Sequence, residues 1–185
     1  VIAEDGGIWQ FHFLRSLMAV PVFALLAMTA LGPIRPRHWG RVAGRSALLT
    51  VAMVSYFAAL AVLPIAQAVA GLFTAPIFVV LVETLGFRRR IGPVRIGAVA
   101  AGFLGILLVL RPDAGAFTPW TVVPVIGGLF YALSAIATRT WCAGESALSL
   151  LAGSFTGLGL AGALGLTLFA LAPGLADPTG ASFVL

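Results

Sequence analysis

The sequence predicts an all-α, polytopic transmembrane helix bundle of about six membrane-spanning helices, and three observations predict it. Hydrophobic residues make up 61% of the chain and charged residues only 9%, where a soluble domain carries about a quarter charged residues. Mean hydropathy is +1.09, and a soluble fold of this composition would expose apolar surface that monomeric proteins avoid. The apolar runs are continuous and rich in Ala and Leu, whereas membrane strands alternate over about ten residues. Inside lipid an uninterrupted helix pairs its own backbone N–H and C=O groups, which makes it the default spanning element.

Six runs meet or approach the 20 or so residues needed to cross roughly 30 Å of hydrocarbon. They extend from Phe11 to Leu31, Ala43 to Leu63, Ile65 to Leu85, Arg95 to Leu110, Pro119 to Thr138 and Ser146 to Leu171. The second and third are separated by a tight turn at Leu63-Pro64. The fourth is the shortest and is expected to begin a little before Arg95.

Orientation follows from the arginines, because links that retain positive charge stay in the cytoplasm during insertion. All 11 basic residues are Arg. Arg35, Arg37, Arg41 and Arg45 follow the first run, Arg88, Arg89, Arg90 and Arg95 follow the third, and Arg139 follows the fifth. Glu4, Asp5, Arg111, Asp113 and Asp177 fall at the opposite ends. The chain is therefore expected to begin and end outside, with Arg-rich cytoplasmic links. Cys142 is the only thiol; it falls on the cytoplasmic side, so an impermeant maleimide should not label it in intact cells. The chain opens at Val1 and lacks the pattern of a secretory leader, which leads us to expect an internal piece of a longer protein.

The net charge of +5 is spread between apolar runs; a nucleic-acid domain concentrates it on a polar body, so nucleic acid is not an expected partner. No Lys is present for a Walker A loop, and His12 and His38 lie at opposite ends of the first helix, too far apart to form a metal pair. No GxSxG elbow occurs, and no nucleophile with a base beside it falls at membrane depth. Neither an enzyme nor a cofactor or metal site is expected.

Polar side chains inside the apolar runs mark where chemistry can occur. Gln67, Gly71 and Thr74 share one helix face at i, i+4 and i+7, next to Phe73 and Pro76. Tyr131, Ser134 and Thr138 share another, with Gly127 one turn earlier. The first stripe reads as the lining of a solute cavity or a polar tie between helices, and Tyr131 of the second as cavity lining or an aromatic anchor at the interface. Arg15 either snorkels to the headgroups or meets an anionic or zwitterionic solute at the outer mouth, where Tyr56 also falls. Glu83 is either paired with Arg88 or its neighbours or a proton-coupling group. Ala98/Gly102, Ala101/Gly105 and Gly153/Gly157/Ala161/Gly165 read as small-residue stripes that bring helices together.

Tyr56-Phe57-Ala58-Ala59-Leu60, Leu63-Pro64-Ile65-Ala66-Gln67-Ala68 and Phe73-Thr74-Ala75-Pro76-Ile77-Phe78 resemble the third and fourth helices of drug/metabolite transporters with the EamA domain. Ile91-Gly92-Pro93-Val94-Arg95-Ile96, Gly102-Phe103-Leu104-Gly105 and Leu108-Val109-Leu110-Arg111-Pro112 are similar to that family's next link and fifth helix. Gly128-Leu129-Phe130-Tyr131-Ala132-Leu133-Ser134 resembles the start of its second half. The resemblance implies ten helices in two inverted five-helix repeats around a central cavity, worked by alternating access. The six runs then stand for helices two to seven, with residues 1–112 the rest of the first repeat and 113–185 the start of the second. Arg89 stands where family members usually have Glu.

These readings combine into a secondary transporter in a bacterial inner membrane. Its partners are the lipid bilayer, a small organic solute such as an amino acid or other metabolite, and the missing helices of the same protein. The expected cavity residues are Arg15, Tyr56, Gln67, Phe73, Thr74, Tyr131 and Ser134. The alternative is a non-transporting membrane scaffold or an inactive truncated product.

Overall fold

The computed structural model describes residues 7–28, 33–88, 92–110 and 118–171. Expectations that rest on Glu4, Asp5, Arg89, Arg90, Arg111, Asp113 and Asp177 lie outside them. Helices α1 (Ile8–Ala27), α2 (Trp39–Val62), α3 (Ile65–Leu72) and α4 (Ala75–Leu81) are followed by a π turn at Val82–Gly86. Then come α5 (Pro93–Leu110), a 3-10 turn at Pro119–Thr121, α6 (Val122–Thr140) and α7 (Ala147–Leu171). Counting continuous segments, Ile8–Ala27, Trp39–Val62, Ile65–Gly86, Pro119–Thr140 and Ala147–Leu168 are long and apolar enough to cross a membrane. Pro93–Leu108 is a shorter apolar helix. The all-α polytopic bundle expected from composition is the fold observed.

The ends of the helices have local causes. Pro64 separates α2 from α3 with an extended backbone (φ −54°, ψ 141°). The third run breaks at Phe73-Thr74, and Pro76 falls in the first turn of α4, where its missing N–H costs no hydrogen bond. Ser146 caps α7 by accepting from the Ser149 N–H at 3.0 Å. The first run starts at Ile8 rather than Phe11, because Trp9 is held against Gly165 of α7.

Packing divides the chain into two compact units, one of Val1–Thr50 with Thr138–Leu185 and one of Val51–Ala137. In the first, α7 meets its neighbours through two glycine faces. A Cβ at Gly153 or Gly157 would lie 2.8 Å from Ser46 Oγ or 2.6 Å from Thr50 Oγ1 on α2. A Cβ at Gly162 would lie 2.7 Å from the Phe13 N and Trp9 O of α1. Among the described residues the hydroxyls of Ser46 and Thr50 have no conventional hydrogen-bond partner; they face glycine Cα–H groups, weak donors that recur at close membrane-helix crossings. The stripe Gly153/Gly157/Ala161/Gly165 is thus shared between two neighbours. Gly102 and Gly105 on α5, expected to approach a neighbour closely, have none of the described residues within 4 Å of where a Cβ would stand.

In the second unit Ala59, Leu63 and Ala68 form a buried cluster, with Tyr56, Leu60 and Val123 packed on it. The first half of α6 crosses α2 at Gly127, where a Cβ would lie 3.2 Å from the Ala52 carbonyl. It crosses α3 at Gly71, where a Cβ would lie 2.7 Å from the Pro124 ring. At Gly128 the constraint is tightest: a Cβ there would lie 2.6 Å from Thr74 Oγ1 and 3.0 and 3.2 Å from the Gly71 and Leu72 carbonyls.

Candidate functional site

The helix break that precedes α4 gives the Gln67/Gly71/Thr74 stripe its form. Gln67 and Gly71 are buried, and the Thr74 hydroxyl turns back to donate to the Gly71 carbonyl at 2.6 Å. Gly71 and Thr74 lie directly against α6, so these two residues tie helices together. Gln67, 3% exposed, is the buried amide of this face. Phe73 is 46% exposed and points away from the packed side.

On α6 the second stripe divides in the same way. Ser134 is buried, and Tyr131 is 43% exposed. Thr138 falls in the first unit, where its hydroxyl accepts from Arg45 Nε at 2.9 Å. Tyr56 of α2 packs on the Ala59/Leu63/Ala68 cluster, next in sequence to Gln67 at Ala68. The second unit therefore carries Tyr56, Gln67, Phe73, Thr74, Tyr131 and Ser134. Arg15 belongs to the first unit and has its own surroundings there.

Glu83 lies in the π turn with its residue 7% exposed, and its carboxylate pairs with Arg95 at 2.7 Å. The pairing reading holds, but the partner is Arg95 in the first turn of α5 rather than Arg88. A π turn shifts the side chains that follow it around the helix, and such turns recur at functional positions.

Two residues of the Arg-rich side were not singled out by sequence reasoning. Arg45 is not a link residue; it lies in the second turn of α2, where its guanidinium donates to the Leu150 carbonyl at 3.3 Å and to Ser154 Oγ. Glu145, in the link between α6 and α7, accepts from the backbone N–H groups of Arg37 at 2.9 Å and His38 at 2.8 Å. His38 Nδ1 lies 3.4 Å from the same carboxylate, and Ser146 donates its hydroxyl to the Pro33 carbonyl. These contacts fasten the link before α2 to the link before α7. The Arg37 N–H, with the two donors of His38, holds the Glu145 carboxyl below its ordinary range against the opposing effect of desolvation. The sequence signal was Glu145-Ser146 directly before an apolar run, a helix-start signature.

Cys142 is 3% exposed, and desolvation raises its thiol above the ordinary range. A covered, protonated thiol reacts slowly from either side, so its labelling does not report topology. Ala143, its exposed neighbour, does. In a Cys142→Ser background we expect Ala143→Cys to resist an impermeant maleimide on intact cells and to react in inverted vesicles. Labelling of intact cells would reverse the orientation read from the arginines.

Helices that span a bilayer, bury amide and hydroxyl side chains and cross at glycines define a multi-pass membrane protein built from tightly packed α-helices. The family model described as "EamA-like transporter family" matches residues 2–111. The chain belongs to the EamA-like transporter family, a family of transporters rather than enzymes. It is 32% identical over 185 residues to a riboflavin transporter of Rhizobium johnstonii, covering 99% of this chain and 58% of that protein. It is 27% identical over 131 residues to a riboflavin transporter of Brucella anthropi, covering 71% and 45%. A third relative, an S-adenosylmethionine uptake transporter of Rickettsia prowazekii, is 25% identical over 139 residues, covering 75% and 46%. The chain spans about half the length of the curated relatives it matches. No solved structure matches it.

Proposed function

We propose that this chain is part of an inner-membrane carrier that takes up a small organic solute, and that the solute is a neutral heteroaromatic metabolite of the riboflavin type. The family match carries the reading. The name of the S-adenosylmethionine relative directs it to uptake, those of the riboflavin relatives to the solute, and the residues of the second unit favour a neutral solute over a cationic one. S-adenosylmethionine carries a positive sulfonium and would call for a carboxylate, yet Glu83, the buried carboxylate among the described residues of this unit, is already paired with Arg95 at 2.7 Å. Gln67 offers an amide donor and acceptor, Ser134 a hydroxyl, and Tyr56 and Tyr131 flat aromatic surface with a polar tip.

In this reading the carrier works by alternating access, residues 1–112 and 113–185 belong to successive inverted repeats, and the Arg-rich links face the cytoplasm. Gln67, Ser134, Tyr56 and Tyr131 meet the solute. Phe73 and Thr74 serve the helix break and its packing. Labelled riboflavin uptake by the complete protein, in cells without uptake of their own, tests this. Gln67→Ala combined with Tyr131→Phe should cut uptake by about tenfold or more at unchanged expression, the size of one hydrogen bond lost in a desolvated site. Unchanged uptake in that double variant would remove these residues from the site. Absence of riboflavin uptake by the unaltered protein would remove the solute.

A further inference from the structure

In the first unit a groove of about 230 Å³ runs between α1 and α7. Its walls are Phe13, Leu17, Val20 and Phe23 on α1 and Phe155 on α7. It is narrowed where Ser16 meets Gly159, since a Cβ there would lie 2.9 Å from Ser16 Cβ. Both helices are long and apolar enough to cross a membrane, so the groove lies between two candidate spans.

Two polar groups interrupt this apolar setting. Ser16 is 8% exposed, lines the groove, and its Oγ has no hydrogen-bond partner among the described residues. Arg15, the preceding residue, places its guanidinium 5.7 Å from the Phe11 ring centroid and 5.1 Å from that of Phe155. Its Nε is buried without a hydrogen-bond partner, and among the described residues no carboxylate forms an ion pair with it. Aromatic faces offset part of the cost of a cation at this depth. They do not neutralise it, and a half-buried cation in an apolar setting still favours a counter-ion.

We propose that this groove binds an anionic phospholipid, with one acyl chain along Leu17, Val20, Phe23 and Phe155 and the phosphate paired with Arg15. The occupant follows from the two chemistries side by side. The walls exclude a polar solute, because the other hydroxyl in them, Thr156, already donates to the Ala152 carbonyl at 2.8 Å. The cation selects an anionic headgroup over a zwitterionic one, whose own ammonium would share the phosphate. Ser16 supplies the one uncommitted donor of the lining, and an ester carbonyl of the same lipid accepts from it. Its lining residues belong to the first unit, and the proposed solute residues all belong to the second.

Native mass spectrometry of the complete protein, titrated with phosphatidylglycerol or phosphatidylcholine, tests the site. The unaltered protein should retain phosphatidylglycerol about tenfold more tightly, the scale of one charge-assisted contact in a desolvated setting. Arg15→Gln should abolish that preference and leave phosphatidylcholine binding as it was. Val20→Trp, at a position 58% exposed on the groove wall, keeps the charge but fills the groove, and should weaken retention of both lipids. Phosphatidylglycerol preference that survives Arg15→Gln overturns the proposal, as does undiminished lipid retention in Val20→Trp. If Arg15→Gln does not fold, the Val20→Trp result decides alone. Loss of solute binding in Arg15→Gln with lipid retention intact would assign the cation to the solute and overturn the lipid site.

Discussion

Gly128→Leu should abolish uptake by the complete protein and lower the yield of folded material sharply, whereas Gly102→Leu should leave both nearly unchanged. The contrast isolates packing, since both residues are glycines inside apolar helices and both substitutions raise helix propensity. At Gly128 even a methyl group would stand 2.6 Å from Thr74 Oγ1 and 3.0 Å from the Gly71 carbonyl. Thr74 cannot swing aside freely because its hydroxyl is bonded to that same carbonyl at 2.6 Å. The remaining neighbours are backbone and cannot rotate away. Overpacking of a closed site costs about 1–3 kcal/mol for a few carbons, and Leu adds four. Among the described residues nothing lies within 4 Å of where a Cβ at Gly102 would stand. Thermal unfolding in detergent measures the difference directly. Equal melting temperatures for the two variants would mean that the α3–α6 crossing is looser than described.

How far the sequence reveals such a site depends on the kind of force that makes it. The spanning helices were legible because lipid acts on every residue of a run, so composition summed over about 20 positions is decisive. Pro64 and Pro76 were legible as interruptions because proline acts on its own backbone. The identity of a partner was not. Glu83 next to Arg88, Arg89 and Arg90 invites a local ion pair, yet the pair forms with Arg95; the π turn at Val82–Gly86 redirects the carboxylate, and nothing in the local sequence specifies that turn. Arg45 reads as one more positive charge in a link, and only its place in α2 shows that it donates to Thr138, Leu150 and Ser154. The polar stripe on the third run carried two readings; in the structure Thr74 bonds the Gly71 carbonyl beside Gly128 of α6, while Gln67 keeps a buried amide. Small-residue stripes were the least decisive, because Gly102 and Gly157 look alike in sequence and differ only in what lies opposite.

Glu145→Gln should lower the melting temperature at neutral pH, and the deficit should close as the solution is acidified. In the folded chain the carboxylate accepts from two backbone N–H groups, those of Arg37 and His38, at the start of α2. Those N–H groups lie just before the first turn of α2, whose dipole favours an anion there. Gln keeps one acceptor oxygen but turns an NH2 group toward the second donor and removes the charge. The pH dependence has a definite sign. The Arg37 and His38 contacts hold the carboxyl below its unfolded value of 4.5, so the stabilisation is complete above about 4.5. It falls away as the pH passes down through the lower folded value, because the unfolded state takes up its proton first. The unaltered protein and Glu145→Gln should therefore differ at pH 7, differ less below pH 4.5, and converge once the folded carboxyl is protonated. A gap that stays constant from pH 7 to about pH 3 would show that shape, not charge, holds the two links together. Cys142→Ser, three residues away, serves as the control: its thiol is neutral across this window, and its effect on melting should not change with acidification.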